Sequence, residues 1–77
     1  MNYIEELKSG ETFVFENSLY VLGIDFKKNG DRLGISLTNG VPKWFDASTI
    51  ILKTPIYTLD PSNNIVPVVE NKNEISI

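Results

Sequence analysis

The chain has 77 residues, seven Lys plus Arg against ten Asp plus Glu, a net charge of −3, and neither Cys nor His. Those two absences exclude disulfide staples, Cys- or His-ligated metals and every mechanism that needs a histidine base. The acidic balance argues against duplex DNA as a partner, because that binding rests on several cations meeting phosphates.

A single domain of this size buries only about 60% of the surface its unfolded chain exposes, so a homo-oligomer is expected to add apolar burial. No apolar run approaches the roughly 18 residues of a membrane span. The opening residues Met1–Glu6 have neither the basic flank nor the apolar centre of a secretion signal. The expectation is a cytoplasmic protein with no membrane partner.

Tyr3, Ile4 and Leu7 fall on one side of a helical turn predicted over residues 3–8, with Asn2 as its N-cap and Glu5 completing a capping box. Gly10 ends it in the left-handed conformation. The turn is expected to act as a lid on an open barrel end. From Glu11 the apolar period becomes two. Phe13 and Phe15 share a face, and Asn17-Ser18 is predicted to turn. Leu19–Phe26 is the longest predicted strand, with Tyr20, Leu22, Ile24 and Phe26 on one face and Leu19, Val21, Gly23 and Asp25 on the other. Gly23 marks an expected bulge or bend. A polar turn follows over Lys27–Asp31.

Arg32–Thr38 is predicted as a strand with Leu33, Ile35 and Leu37 inward and Gly34, Ser36 and Thr38 outward. Asn39-Gly40 reads as a two-residue type I′ turn, which needs positive φ at both central positions. Val41–Asp46 is the next strand. Pro42 cannot donate to a ladder, so one flank of that strand belongs at an edge or a bulge. Ala47–Thr49 is predicted as a single 3₁₀ turn and Ile50–Lys53 as a strand, continued after Pro55 by Ile56–Leu59. Asp60–Asn64 is a turn. Ile65–Val69 is a further short strand, kept to an edge by Pro67, and Glu70–Glu74 is polar. The stretch from Ile65 reads either as a sixth strand or as an arm on a second subunit. The sum is an all-β, five- to six-stranded SH3-like barrel over residues 1–59 and a C-terminal extension over residues 60–77.

Leu7-Lys8-Ser9-Gly10-Glu11-Thr12-Phe13-Val14-Phe15, then Tyr20-Val21, Leu37-Thr38-Asn39-Gly40 and Trp44-Phe45-Asp46, resembles a group of small bacteriophage-encoded SH3-like barrel proteins. Their pattern runs Leu-Lys-x-Gly-[Asp/Glu]-x-Phe-x-Phe, an aromatic beside a short strand, a Gly hairpin and a late Phe-Asp. The likeness does not reach the tail from Asp60. It implies a phage origin, hence a host cell's cytoplasm, and a barrel more than an activity.

Catalytic equipment is sparse. Asp25, Asp31, Asp46 and Asp60 fall mostly in turns, where carboxylates are solvated, and Gly30, Gly34 and Gly40 do not make a phosphate loop. The chain reads as non-enzymatic, with no cofactor and no metal. Two features favour binding instead. Lys27, Lys28 and Arg32 form a cationic hairpin tip, and Lys43-Trp44-Phe45 interleaves a cation with two aromatics. Lys43 and Phe45 face one way and Trp44 the other. Either Phe45 enters the core and Trp44 is displayed beside Pro42, or Trp44 enters it and Lys43 and Phe45 are presented. Tyr20 adds a hydroxyl that can orient a ligand.

Two functions fit this inventory. In the first, by analogy with compact phage proteins, the chain sequesters a nucleotide-derived host immune signal. Trp44 or Phe45 then stacks on a base while Lys43 and Arg32 neutralise phosphates, in a pocket between subunits. In the second, an exposed aromatic or edge-strand surface inhibits or modulates a host protein.

Overall fold

Apolar alternation drives the chain into eight strands in a computed structural model that describes residues 1–68. They are β1 (Asn2–Tyr3), β2 (Thr12–Phe15), β3 (Ser18–Phe26), β4 (Arg32–Ser36), β5 (Pro42–Phe45), β6 (Ile50–Lys53), β7 (Tyr57–Leu59) and β8 (Ile65–Pro67). The first six make one antiparallel sheet in the order β1-β6-β2-β3-β4-β5, and β7 pairs only with β8. The protein is all-β, and its main sheet is open, with β1 and β5 at the margins.

The sheet is nevertheless strongly rolled. In a flat sheet β6 and β5, four strand spacings apart, would stand about 19 Å from each other. A tight turn joins them directly: Thr49 N–H donates to Asp46 O at 2.9 Å. Rings from β2 and β5 also meet on the inner face, with Phe13 and Phe45 centroids 5.3 Å apart. Ile4, Leu7, Phe13, Leu22, Phe45 and Ile51 fill that concave side and are the fully buried apolar residues among those described.

The N-terminal turn is shorter than the sequence suggests. Ile4–Glu6 is one 3₁₀ turn, capped at Tyr3, whose N–H donates to Glu6 Oε1 at 2.6 Å. The cap and its acid are thus Tyr3 and Glu6 rather than Asn2 and Glu5, because Asn2 and Tyr3 are drawn into pairing with Ile51 and Ile50. Ile4 and Glu5 N–H then donate to the Thr49 and Ala47 carbonyls, both at 3.0 Å. The connector at Ala47–Thr49 is a β-turn rather than a 3₁₀ turn, with Asp46 Oδ1 accepting from Ser48 N and Oγ.

Along β4 the expected orientation is inverted. Gly34 and Ser36 are buried on the inner face, paired with Leu22 and Tyr20, and Leu33 and Ile35 face outward. The cause is steric. A Cβ on Gly34 would sit 2.7 Å from Phe45 Cε2 and 3.1 Å from Phe13 Cζ, so the aromatic rings of β2 and β5 require an absent side chain beneath them. Leu37, expected inward, is exposed.

The alternation in β3 holds through Leu22 and then fails. Register shifts between Leu22 and Phe26, the irregularity expected around Gly23, and beyond it Ile24 and Phe26 are exposed, Phe26 to 72%.

The hairpin turns also exchange roles. Glu16 and Asn17, with φ of 49° and 64°, form the two-residue loop between the paired Phe15 and Ser18, the φ signature of a type I′ turn. At Asn39-Gly40 only Gly40 has positive φ, and the loop is wider. Ser36 N donates to Val41 O at 3.0 Å and Gly40 N to Ser36 O at 2.8 Å, leaving Leu37–Gly40 as a four-residue loop. Ser36 Oγ holds it by accepting from Thr38 N and Asn39 N.

The strand at β5 lies at a margin, as Pro42 requires. Because Ser36 and Val41 are hydrogen-bonded partners, the alternation of an antiparallel ladder turns the main-chain groups of Lys43 and Phe45 toward β4. Pro42 and Trp44 therefore face the open edge, where a missing N–H costs no ladder bond.

After Lys53 the chain leaves the sheet through Thr54–Ile56 and forms the β7–β8 hairpin, with Asp60 near its tip. Asp60 Oδ1 accepts from Ser62 N and Asn64 N at 2.8 and 2.9 Å, which confirms the turn at Asp60–Asn64. The expected strand end at Val69 and the polar stretch Glu70–Glu74 lie outside the described residues.

Candidate ligand-binding cleft

Phe45 is the centre of the inner face. It is 2% exposed, and the rings of Phe13, Phe15 and Tyr20 meet it edge-on at 5.3, 5.3 and 5.1 Å. Tyr20 also stacks on Phe13 at 5.5 Å and 15°. Edge-to-face pairs of this kind stabilise by about 0.5–1.5 kcal/mol each beyond their buried area. Phe45 is thus the core member of the Lys43-Trp44-Phe45 triplet, and Trp44, 40% exposed, is the displayed one.

Above this cluster, at the end of the inner face, an open cleft of about 390 Å³ is lined by Ser18, Tyr20, Ser36, Thr38, Asn39, Val41, Pro42 and Lys43. Lys43 Nζ stands 5.9 and 5.8 Å from the Phe15 and Phe45 rings, so its ammonium is drawn over aromatic faces. The lining is rich in donors: one ammonium, four hydroxyls and the amide of Asn39. No carboxylate lines it, in a chain that is acidic overall. Chemically the cleft offers one cation and several hydrogen-bond donors to an anionic or acceptor-rich group.

The other expected site residues are not gathered there. Trp44 lies on the outer face, with Lys27 Nζ 4.6 Å from its ring centroid. Trp44 and Lys43 cannot embrace one ligand from one chain, because adjacent strand residues point to opposite faces. Arg32 is engaged internally. Its Nη2 donates to Ser9 Oγ at 2.9 Å and to Gly23 O at 3.0 Å, tying the β3 irregularity to the turn at Ser9–Gly10 that precedes β2. Its buried Nε has no partner among the described residues. Lys28 is exposed in its hairpin turn, which Gly30 closes with φ of 96°. Sequence reasoning missed Ser18, Ser36, Thr38 and Asn39. Their signal was the small residues alternating at Gly34 and Ser36 opposite aromatic-rich strands.

No protein-family model, curated protein or solved structure matches this chain.

A second, more apolar groove of about 790 Å³ runs between the sheet and the β7–β8 hairpin. Val21 and Leu37 line it from the sheet, Ile56 and Val68 from the hairpin, and Lys8, Glu11 and Lys53 from one end. Glu11 is committed to structure there: Lys53 Nζ stands 2.6 Å from Oε2, and Lys8 N–H donates to Oε1 at 2.7 Å. The Lys53 ammonium, and then the Lys8 amide, hold the Glu11 carboxyl below its ordinary value. Among the described residues, no three or more His, Cys, Asp or Glu gather at a metal-binding distance, and no helix is long and apolar enough to cross a membrane.

Proposed function

We propose that the chain is a non-enzymatic binding protein whose inner-face cleft takes a small anionic ligand with a planar ring, of the nucleotide-derived class. The observation that carries this reading is the cleft that unites Tyr20 and Lys43 with hydroxyl and amide donors and no carboxylate. The earlier assignment of roles is revised: Lys43 meets the phosphate, Tyr20 and its polar neighbours orient the ring, and Arg32, Phe45 and Trp44 are not direct contacts. The biological role proposed with it, sequestration of a host immune signal in the cytoplasm, rests on analogy with compact phage proteins that bind such signals; the resemblance itself speaks for a phage origin and a barrel. The SH3-like reading of the fold belongs with it, supported by the roll of the sheet and the tight link from β5 to β6.

A second reading, a module that binds a host protein, is favoured by one observation: the displayed Trp44 with Lys27 against its ring. The open edge of β5 supports it less, since Pro42 removes a donor from that edge.

Calorimetric titration with cyclic dinucleotides, mononucleotides and ADP-ribose-type ligands separates the two. On the ligand reading one class binds. Lys43→Ala abolishes the heat, Tyr20→Phe and Thr38→Ala weaken it, and Trp44→Ala leaves it unchanged. Absence of binding across the panel, with a host protein retained by the native chain and lost on Trp44→Ala, would replace the first reading with the second.

A further inference from the structure

The β7–β8 hairpin pairs Tyr57 with Pro67, Thr58 with Val66 and Leu59 with Ile65. Directly opposed residues share a face, so Tyr57, Leu59, Ile65 and Pro67 form one side and Thr58 and Val66 the other. The main-chain bond from Val68 N to Ile56 O, 2.9 Å, continues the ladder on the Thr58 side, and both Ile56 and Val68 line the groove against the sheet. The Tyr57–Ile65 side is therefore turned away from the chain's own sheet. It consists only of apolar side chains, and all of them are exposed, Leu59 to 59% and Ile65 to 73%. A two-stranded hairpin presenting such a face is at best marginally stable alone in water.

The same chain holds a matching surface. On the outer face, Tyr3 is paired with Ile50, and Leu52 with Val14, across β1, β6 and β2. These four residues are contiguous and uncharged, and Tyr3, Ile50 and Leu52 are each about half exposed. None of the named residues on either surface carries a formal charge. The two surfaces cannot meet within one chain, because the hairpin's far side points away from its own sheet.

We infer that the hairpin of one chain docks its Tyr57–Leu59–Ile65–Pro67 side on the Tyr3–Ile50–Leu52 surface of a second copy, reciprocally, in a two-fold dimer. The exchange is isologous as a whole although each half joins unlike surfaces. The docking side of the hairpin carries two opposed residue pairs, which cover about 10 × 10 Å in plan with their side chains, and two such contacts sit at the small end of specific interfaces, so the dimer is expected to be weak. The inference is independent of the ligand reading, since neither surface touches the Tyr20–Lys43 cleft.

The chain has no native cysteine, which makes site-directed cross-linking clean. Full-length Leu59→Cys and Leu52→Cys variants are prepared separately, then oxidised alone and as an equimolar mixture. The mixture is expected to give a disulfide-linked heterodimer that neither variant gives as a homodimer. Sedimentation equilibrium of the native chain is expected to show two copies at high micromolar concentration. Leu59→Lys/Ile65→Lys should raise the dissociation constant at least about tenfold, with the β-sheet circular dichroism unchanged. A monomer throughout the concentration range would overturn the inference. So would preferential linkage of Leu59→Cys to itself or of Leu52→Cys to itself, which would mean hairpin-to-hairpin or sheet-to-sheet pairing.

Discussion

The ring of Phe45 lies over Gly34 so closely that a Cβ on the glycine would stand 2.7 Å from Cε2. Gly34→Ala is therefore expected to force a buried ring off its seat and to cost about 1–3 kcal/mol. Phe45→Leu alone loses the three edge-to-face contacts, but in the double variant it also frees the space the new methyl needs. Urea denaturation of the four proteins in this cycle should show the double variant losing less than the sum of the single losses.

Glu16 and Asn17 adopt positive φ in the two-residue loop after β2. Asn-Gly accommodates that geometry better than Glu-Asn does. Glu16→Asn/Asn17→Gly is expected to raise the melting temperature, because relief of the left-handed side-chain penalty outweighs the added freedom of the unfolded chain. Gly40, with φ of 76°, is the opposite case, and Gly40→Val should lower the melting temperature.

Three carboxyls sit below their ordinary values of 4.5 for Glu11 and 3.8 for Asp46 and Asp60. Lys53 is the main cause at Glu11, the Ser48 hydroxyl at Asp46 and the Asn64 amide at Asp60. A lowered folded-state pKa means that folding favours the ionised form. Its stabilisation is complete above the unfolded value and is lost as pH falls through the folded one. Melting temperature should thus stay level near neutrality and decline below about pH 4.5. Glu11→Gln should reduce the upper part of that decline, and high salt should blunt the Lys53 contribution.

Pro42 turns toward the open side of β5, where it offers no donor. Pro42→Thr restores an N–H to that margin with little change in folding stability. Light scattering on concentrated samples should report more association for the variant, as an exposed edge recruits further strands.

Much of the architecture was legible from period and punctuation. Ile50–Lys53 is a strand as expected, Pro42 lies at an edge, the irregularity falls near Gly23, and Asp60–Asn64 turns. The orientation of β4 was not legible, because both of its faces look plausible in isolation. Leu33 and Ile35 are the more apolar pair, yet the inner side is filled by rings that arrive from β2 and β5 and leave room only for Gly34 and Ser36. Long-range volume decided what local hydropathy could not. Asn39-Gly40 has the chemistry of a type I′ turn, but Ser36 Oγ accepts from two amides there and widens the loop. Of the candidate site, Tyr20 and Lys43 could be read from residue type. Their separation from Trp44 follows once Phe45 is known to be the core residue.

The short turn at Asp46–Thr49 also sets an order of events in time. It makes β5 and β6, far apart along the ladder, neighbours in sequence, so bringing them together closes only a small loop. The pairing of Asn2 with Ile51 closes a far longer loop, about three-quarters of the described chain, and costs more entropy before any contact rewards it. The sheet should therefore acquire its curl early and the N-terminal strand last. On the reverse path the same strand lets go first. Ile4 would then be a residue whose side chain is completely enclosed, while its amide, bonded to Thr49 O, exchanges with solvent sooner than those along β3 and β4.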